Sequence, residues 1–345
     1  MKTPKLLFIA LLPLLAGSAF TDSPVGRPAT GEAYQTRVTF DDDKPYLTKE
    51  FTLNGAGNLR VETSGGHIRV KGGSGSEVKV EMYARLNNGR DRDRNEGSVK
   101  EELEKYDVSI TQEGNTVTAV AKRKSGFRNQ NSRLSISFEI TAPTRVASNL
   151  QTSGGHIQLA GLSGTQEAET SGGHIEAENL KGNLNLHTSG GHITATNLNG
   201  NAQLETSGGH IRLAACDGKL DARTSGGHID ANDVSGELKV ETSGGGISLK
   251  EIRGSVDAHT SGGSIHADVL ELGRYLTLRT SGGGIDATIP SGKGLDLDLE
   301  GDRVRTTLSN FNGTSEKDRI VGTMNGGGIP VKMSTSGSSV VLNYR

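Results

Sequence analysis

The hexapeptide Thr63-Ser64-Gly65-Gly66-His67-Ile68 begins again at Thr152, Thr170, Thr188, Thr206 and Thr224. Variants with Gly or Ser in the fifth place begin at Thr242, Thr260 and Thr280. From Thr152 to Thr260 each start lies 18 residues after the last. A short fixed period is the mark of a fold built by stacking equal units along one axis.

The full repeat reads T-S-G-G-H-I-x-φ-x-x-φ-x-G-x-φ-x-φ-x, where φ is apolar. In the copy from Thr206 the apolar places are Ile211, Leu213, Cys216, Leu220 and Ala222. In the next copy they are Ile229, Ala231, Val234, Leu238 and Val240. Two pairs with a spacing of two predict two short strands per repeat, because alternate residues of a strand face the same side. Gly209 and Gly218 predict the two bends, where a positive φ or a close backbone approach is needed. Helices are excluded by the apolar spacing and by a glycine pair inside every period. A three-sided coil of six-residue strands would also close in 18 residues, but the apolar places do not recur every six. The expected architecture is therefore all-β: a single-stranded parallel β-solenoid whose coils stack about 4.8 Å apart.

Composition agrees with a thin interior. Of 345 residues 49 are Gly, Trp is absent and aromatics make up 4%. Lys and Arg number 38 against 40 Asp and Glu, so no bulk attraction to nucleic acid is expected. Residues 1–19 carry Lys2 and Lys5, an apolar run over 6–16 and small residues at 17–19, the three parts of a secretory signal. An extracytoplasmic chain with no membrane span after cleavage is expected, followed by a polar linker over 20–35. Cys216, the one cysteine, occupies a place held by Leu, Val or Ile in neighbouring repeats, which predicts a small buried hydrophobe.

One domain over 36–345 is expected, with strands at 36–40 and 49–53 ahead of the first signature. The period breaks over 82–143. That stretch holds a charged loop at 87–95, a short helix over 96–106 with Val99, Leu103 and Tyr106 on one face, and three strands. It is assigned to covering one end. Regular coils run over 152–290, and the divergent residues 291–345 are the cover for the other end, since open strand edges invite aggregation.

The T-S-G-G-H-I copies, the opening coil over 59–70, the interruption, the turn at 140–143 and the ending at 326–329 and 335–337 together resemble the bacterial "putative adhesin" family, also called the Toastrack domain. The resemblance implies a right-handed β-helix on an exported or envelope-associated protein, and it brings no catalytic residues to transfer.

The candidate site is a histidine ladder. If the isoleucines face inward, His67, His156, His174, His192, His210 and His228 face outward and stack in one column. Such a column could bind a transition metal, stack on and hydrogen-bond a sugar, or serve the fold alone. No Asp, Glu or Cys recurs beside it to complete a metal shell, and Gly246, Ser264 and Gly284 replace it further on, so no metal site and no cofactor are assigned. A second column (Glu169, His187, Glu205, Arg223, Glu241, His259, Arg279) alternates acid and base along most of its length and is expected to fix register. No acid pair or nucleophile set stands out. The sequence points to a non-enzymatic envelope scaffold, monomeric or weakly oligomeric, contacting glycans or a cell surface. The alternative is a periplasmic binding or sensor module whose ladder responds to metal or acid.

Overall fold

The computed structural model describes residues 44–87, 96–127 and 134–345. The expected signal, the linker, the strand at 36–40 and most of the charged loop lie outside the described residues. The first strands are β1 (Leu47–Thr52), β2 (Gly57–Thr63), β3 (Ile68–Gly73) and β4 (Glu77–Leu86). The helix α1 (Glu96–Leu103) follows, then β5 (Tyr106–Glu113), β6 (Thr116–Arg123) and β7 (Leu134–Pro143). The helix is shorter than expected. Tyr106 opens a strand instead, where its buried ring lets the hydroxyl donate to the Leu134 carbonyl at 3.1 Å.

The repeating part consists of β8 (Val146–Thr152), β9 (Ile157–Ala160), β10 (Ser163–Thr170), β11 (Ile175–Thr188), β12 (Ile193–Thr206), β13 (Ile211–Thr224), β14 (Ile229–Thr242), β15 (Ile247–Thr260) and β16 (Ile265–Thr280). Neighbours pair in parallel, and from β11 to β15 each residue meets the one 18 places on: Ile175 with Ile193, Ile193 with Ile211, Ile211 with Ile229. Equivalent side chains thus form continuous columns. The inward isoleucines from Ile157 to Ile265 are all at most 1% exposed. Burying such a side chain is worth about 1.5–3 kcal/mol, which is why register is so strongly specified.

The backbone turns at more places than the two expected per repeat. Besides Gly182, Gly200, Gly218, Gly236 and Gly254, which have φ from 105° to 144°, the residue three places earlier is also left-handed. Those residues are Asn179, Asn197, Ala215, Asp233 and Glu251, with φ from 52° to 55°. Between the two left-handed positions one apolar side chain still points in, such as Leu180, Leu198 or Cys216. The second bend is therefore two turns with a buried residue held between them. Cys216 is 2% exposed, and burial pushes its thiol pKa up.

Both ends depart from sequential stacking. The coil of β2 and β3 pairs on one side with β8 and β9 and on the other with β6 and β7. The chain leaves its first coil, builds the outer layer and returns past it. The insertion therefore covers an end, while Thr63 and Ile68 stand directly on Thr152 and Ile157. The last strands are β17 (Ile285–Ile289), β18 (Leu295–Glu300), β19 (Arg303–Thr306), β20 (Phe311–Ser315), β21 (Arg319–Met324), β22 (Ile329–Thr335) and β23 (Ser339–Tyr344). Here β22 slips between β16 and β18, and β23 between β17 and β19. The C-terminal strands are wedged inside the stack rather than laid on its end.

Among the described residues, β1 and β5 each pair along one side only. Their open sides are tied together by side chains: Lys49 Nζ donates to the Ile110 carbonyl at 2.8 Å, and Gln112 Nε2 to the Thr52 carbonyl at 2.9 Å. A lysine and an amide spent in this way block further strand addition. No helix of the described residues is long and apolar enough to cross a membrane.

Candidate functional site

Each signature turns one corner of a coil, and its residues divide the work. The threonine is buried and makes two hydrogen bonds. Thr206 Oγ1 donates to the Gly191 carbonyl of the preceding coil at 2.8 Å and accepts from the Gly209 N–H at 3.2 Å. The same pair of bonds recurs at Thr170, Thr188, Thr224, Thr242, Thr260 and Thr280. Thr335 donates to the Gly283 carbonyl at 2.7 Å, so the wedged C-terminal coil uses the same lock.

The two glycines are not equivalent. A Cβ on Gly209 would lie 1.8 Å from the Gly191 carbonyl oxygen, whereas one on Gly208 would meet nothing nearer than 3.8 Å. Backbone packing excludes any side chain at the second glycine. The first is exposed and sterically open.

The six histidines named from the sequence come together. His67, His156, His174, His192, His210 and His228 form one stack with ring centroids 4.8–5.2 Å apart and interplanar angles no larger than 14°. His67 is brought in by the doubled-back N-terminal coil. Every ring is also bonded along the stack. The backbone N–H of His156 donates to His67 Nδ1 at 2.9 Å, and the next four histidine N–H groups donate to the preceding Nδ1 at 2.8 Å. Gly246 N–H does the same to His228 at 2.8 Å.

This bonding decides the chemistry of the column. A nitrogen that accepts from a backbone N–H carries no proton, so in the neutral ring the proton sits on Nε2. Coordination of a metal through Nε2 would require that proton to leave as well, giving an imidazolate. Metal-bound histidines use the opposite arrangement, in which the free nitrogen donates its N–H to a carboxylate or carbonyl. Among the described residues no three His, Cys, Asp or Glu side chains are grouped to hold a metal ion. Within the stack the ring faces are occupied by neighbouring rings, so a sugar has a face to stack on only at an end ring such as His228, which Gly246 follows. Only the ring edges face outward.

The same bonding explains a serine at this place. Ser137, in β7 of the insertion, accepts from the His67 N–H through Oγ at 3.0 Å, and Ser264 accepts from the Gly284 N–H at 3.3 Å. Either imidazole or hydroxyl supplies an acceptor aimed at the next coil, while Gly246 and Gly284 at the same place supply none. Nothing in the sequence near Ser137 marks it as the start of the column.

Burial, followed by the neighbouring His156, lowers the pKa values of His67 and His174. For His192 the causes are burial, then His174 and His210, with Arg212 adding to them. Arg85 and Arg69 act in the same direction on His67, and Glu176 opposes the shift at His174.

The second column alternates in register as its sequence suggests. Glu205 stands between His187 and Arg223, and Glu241 between Arg223 and His259. Arg223 Nε is 3.6 Å from Glu241 Oε2, and its Nη2 lies 2.6 Å from Asp221 on the same strand. His187 Nδ1 is 3.9 Å from Glu205. Exposed pairs of this kind are worth about 0–1 kcal/mol each and serve register more than stability.

No protein-family model matches the chain, and no curated protein is significantly similar to it. It is similar to solved structures of a putative adhesin from Bacteroides fragilis and a putative lipid binding protein from Parabacteroides distasonis. Both are 15% identical to it, with TM-scores of 0.36 and 0.37. These matches cover 86% and 87% of this chain and 96% and 97% of the others. A putative cell adhesion protein from Clostridium sporogenes is 10% identical with a TM-score of 0.21, over 88% of this chain and all of that one.

Proposed function

We propose that the chain is an exported, non-enzymatic, right-handed β-solenoid that acts as an adhesin-like scaffold in the cell envelope and contacts glycans or surfaces. The observation that carries this reading is the histidine column, a straight row of side-chain edges repeated once per coil. A rigid stack that repeats one polar group along its length suits attachment to an extended partner. It gives no converging set of groups of the kind chemistry at one bond requires. The leader-like residues 1–19 support export, and the tied edges of β1 and β5 support a monomer or weak oligomer. A glycan array probed with the purified chain tests the reading: selective binding to one glycan class is expected, and a blank array would reject glycan contact.

A second reading is favoured by one specific feature. Because Nδ1 of each ring accepts from backbone, a proton added there turns an acceptor into a donor facing another donor. The chain would then be a binding module whose ladder loosens in acid. Metal response is set aside, since the nitrogen facing outward already carries the proton.

A further inference from the structure

The bonding of the signature corner fixes what its outer surface can offer. From His156 to His228 each ring is locked with its proton on Nε2, so the outer edge of the column is a row of N–H donors 4.8–5.2 Å apart. An imidazole that accepts a hydrogen bond on one nitrogen is polarised to donate more strongly from the other. A second row runs parallel to it. Ser171, Ser189, Ser207 and Ser225 are exposed, and their hydroxyls engage no partner among the described residues. The exposed glycines Gly172, Gly190, Gly208 and Gly226 lie between the two rows.

We infer that this corner is a binding track for an extended linear glycan laid along the stack, with successive sugars meeting successive coils. The inference rests on the glycan-contact reading above and narrows it to one face and one ligand shape. The period selects the polymer. An extended peptide advances about 3.3 Å per residue and would fall out of phase with the rows within a few coils. A β-1,4-linked pyranose chain advances by close to one strand spacing per sugar and stays in phase. The chemistry agrees, because the imidazole row offers only donors and calls for ligand oxygens, the serine row can both donate and accept, and a glycan supplies hydroxyl, ring or carboxylate oxygens in every unit. Beside the track the outward column reads Gln158, Glu176, Thr194, Arg212 and Asp230, mixed in charge, so no field favours a polycation or polyanion.

The test is titration calorimetry at pH 7.5 with two probes, cellohexaose for hydroxyl oxygens and a hexamer of β-1,4-linked mannuronate for carboxylate oxygens. At least one should bind, and affinity should rise with length from dimer to hexamer. Replacing His192, His210 and His228 together by Ser keeps an acceptor at each place, as Ser264 does, but removes the outer donors. That variant should melt near wild type and bind at least about tenfold more weakly. Should it fail to fold, Ser189→Ala, Ser207→Ala and Ser225→Ala combined removes the hydroxyl row without removing a side-chain hydrogen bond of the fold and should weaken binding several-fold. No binding of either hexamer, or binding that ignores length, overturns the track. Undiminished binding by the folded variants also overturns it while leaving glycan contact elsewhere on the chain intact. A blank array rejects both.

Discussion

The two bends of a coil both exclude a side chain at one glycine, where a Cβ would lie 1.8 Å (Gly209) or 1.9 Å (Gly218) from the preceding coil's carbonyl oxygen, but they differ in what surrounds that glycine. At the signature corner, one coil's backbone lies so close to the next that Gly209 has no room for a single carbon, and neighbouring side chains complete the hydrogen bonding of the main chain. At the opposite bend the requirement on the first turning residue is only a left-handed φ, met by Asn, Ala, Asp and Glu in different coils. A steric exclusion fixes one glycine at each bend, and hydrogen bonding through Thr and His adds to the uniformity of the signature corner. At the first turning residue of the opposite bend, a conformational cost of about 1–2 kcal/mol lets that one place drift.

The largest test of this difference lies between adjacent glycines. Gly209→Ala should cost more than about 3 kcal/mol, since the clash is with backbone that cannot move without shifting a whole coil. Gly208→Ala should cost less than about 0.5 kcal/mol. Denaturant titration reads both, and equal losses would remove the steric account of the corner. Next in size is Thr206→Val, which keeps the shape but leaves the buried Gly191 carbonyl without its donor, at about 1–3 kcal/mol.

Acid should act on the signature corner. His67, His174 and His192 have lowered pKa values in the folded chain, so below the ordinary value of about 6.5 the unfolded chain binds more protons. Their contribution is present above that pH and is lost as pH falls through the lowered folded values. Melting temperature should therefore fall as pH drops below about 6.5, more steeply in wild type than in a variant carrying His174→Ser and His192→Ser. Parallel curves would mean that the rings do not need to stay neutral. Nitrogen chemical shifts of the rings should report the Nε2–H form at pH 7.5.

The smallest effect belongs to the permissive bend. Ala215 is left-handed at φ 52°, between Asn197 and Asp233 in the neighbouring coils. Ala215→Asn should stabilise by about 0.5–1 kcal/mol, because Asn tolerates this region and alanine does not. The existing Asn197 to Asn179 side-chain bond at 2.5 Å shows how an amide column forms there. A destabilising outcome would mean that position 215 is sterically closed, as Gly218 in the same bend is.

The inward places Ile211, Leu213, Cys216, Leu220 and Ala222 were legible because a spacing of two and a period of 18 both repeat many times. The bend at Ala215 was not, since no single residue type marks it. The histidine column was legible as a column, but its tautomer was not. That depends on which way the backbone N–H of the next coil points, and no side-chain pattern records that direction.

By itself, the sequence determined the parallel stacking and its register, because shifting any coil by one residue would turn its buried side chains to solvent. Only the tertiary structure decided how the stack begins and ends. The coil at 57–73 is sandwiched beneath its own insertion, and the strands at 329–344 are wedged inside the last coils. Those contacts join segments separated by irregular lengths of chain, so the 18-residue period does not record them.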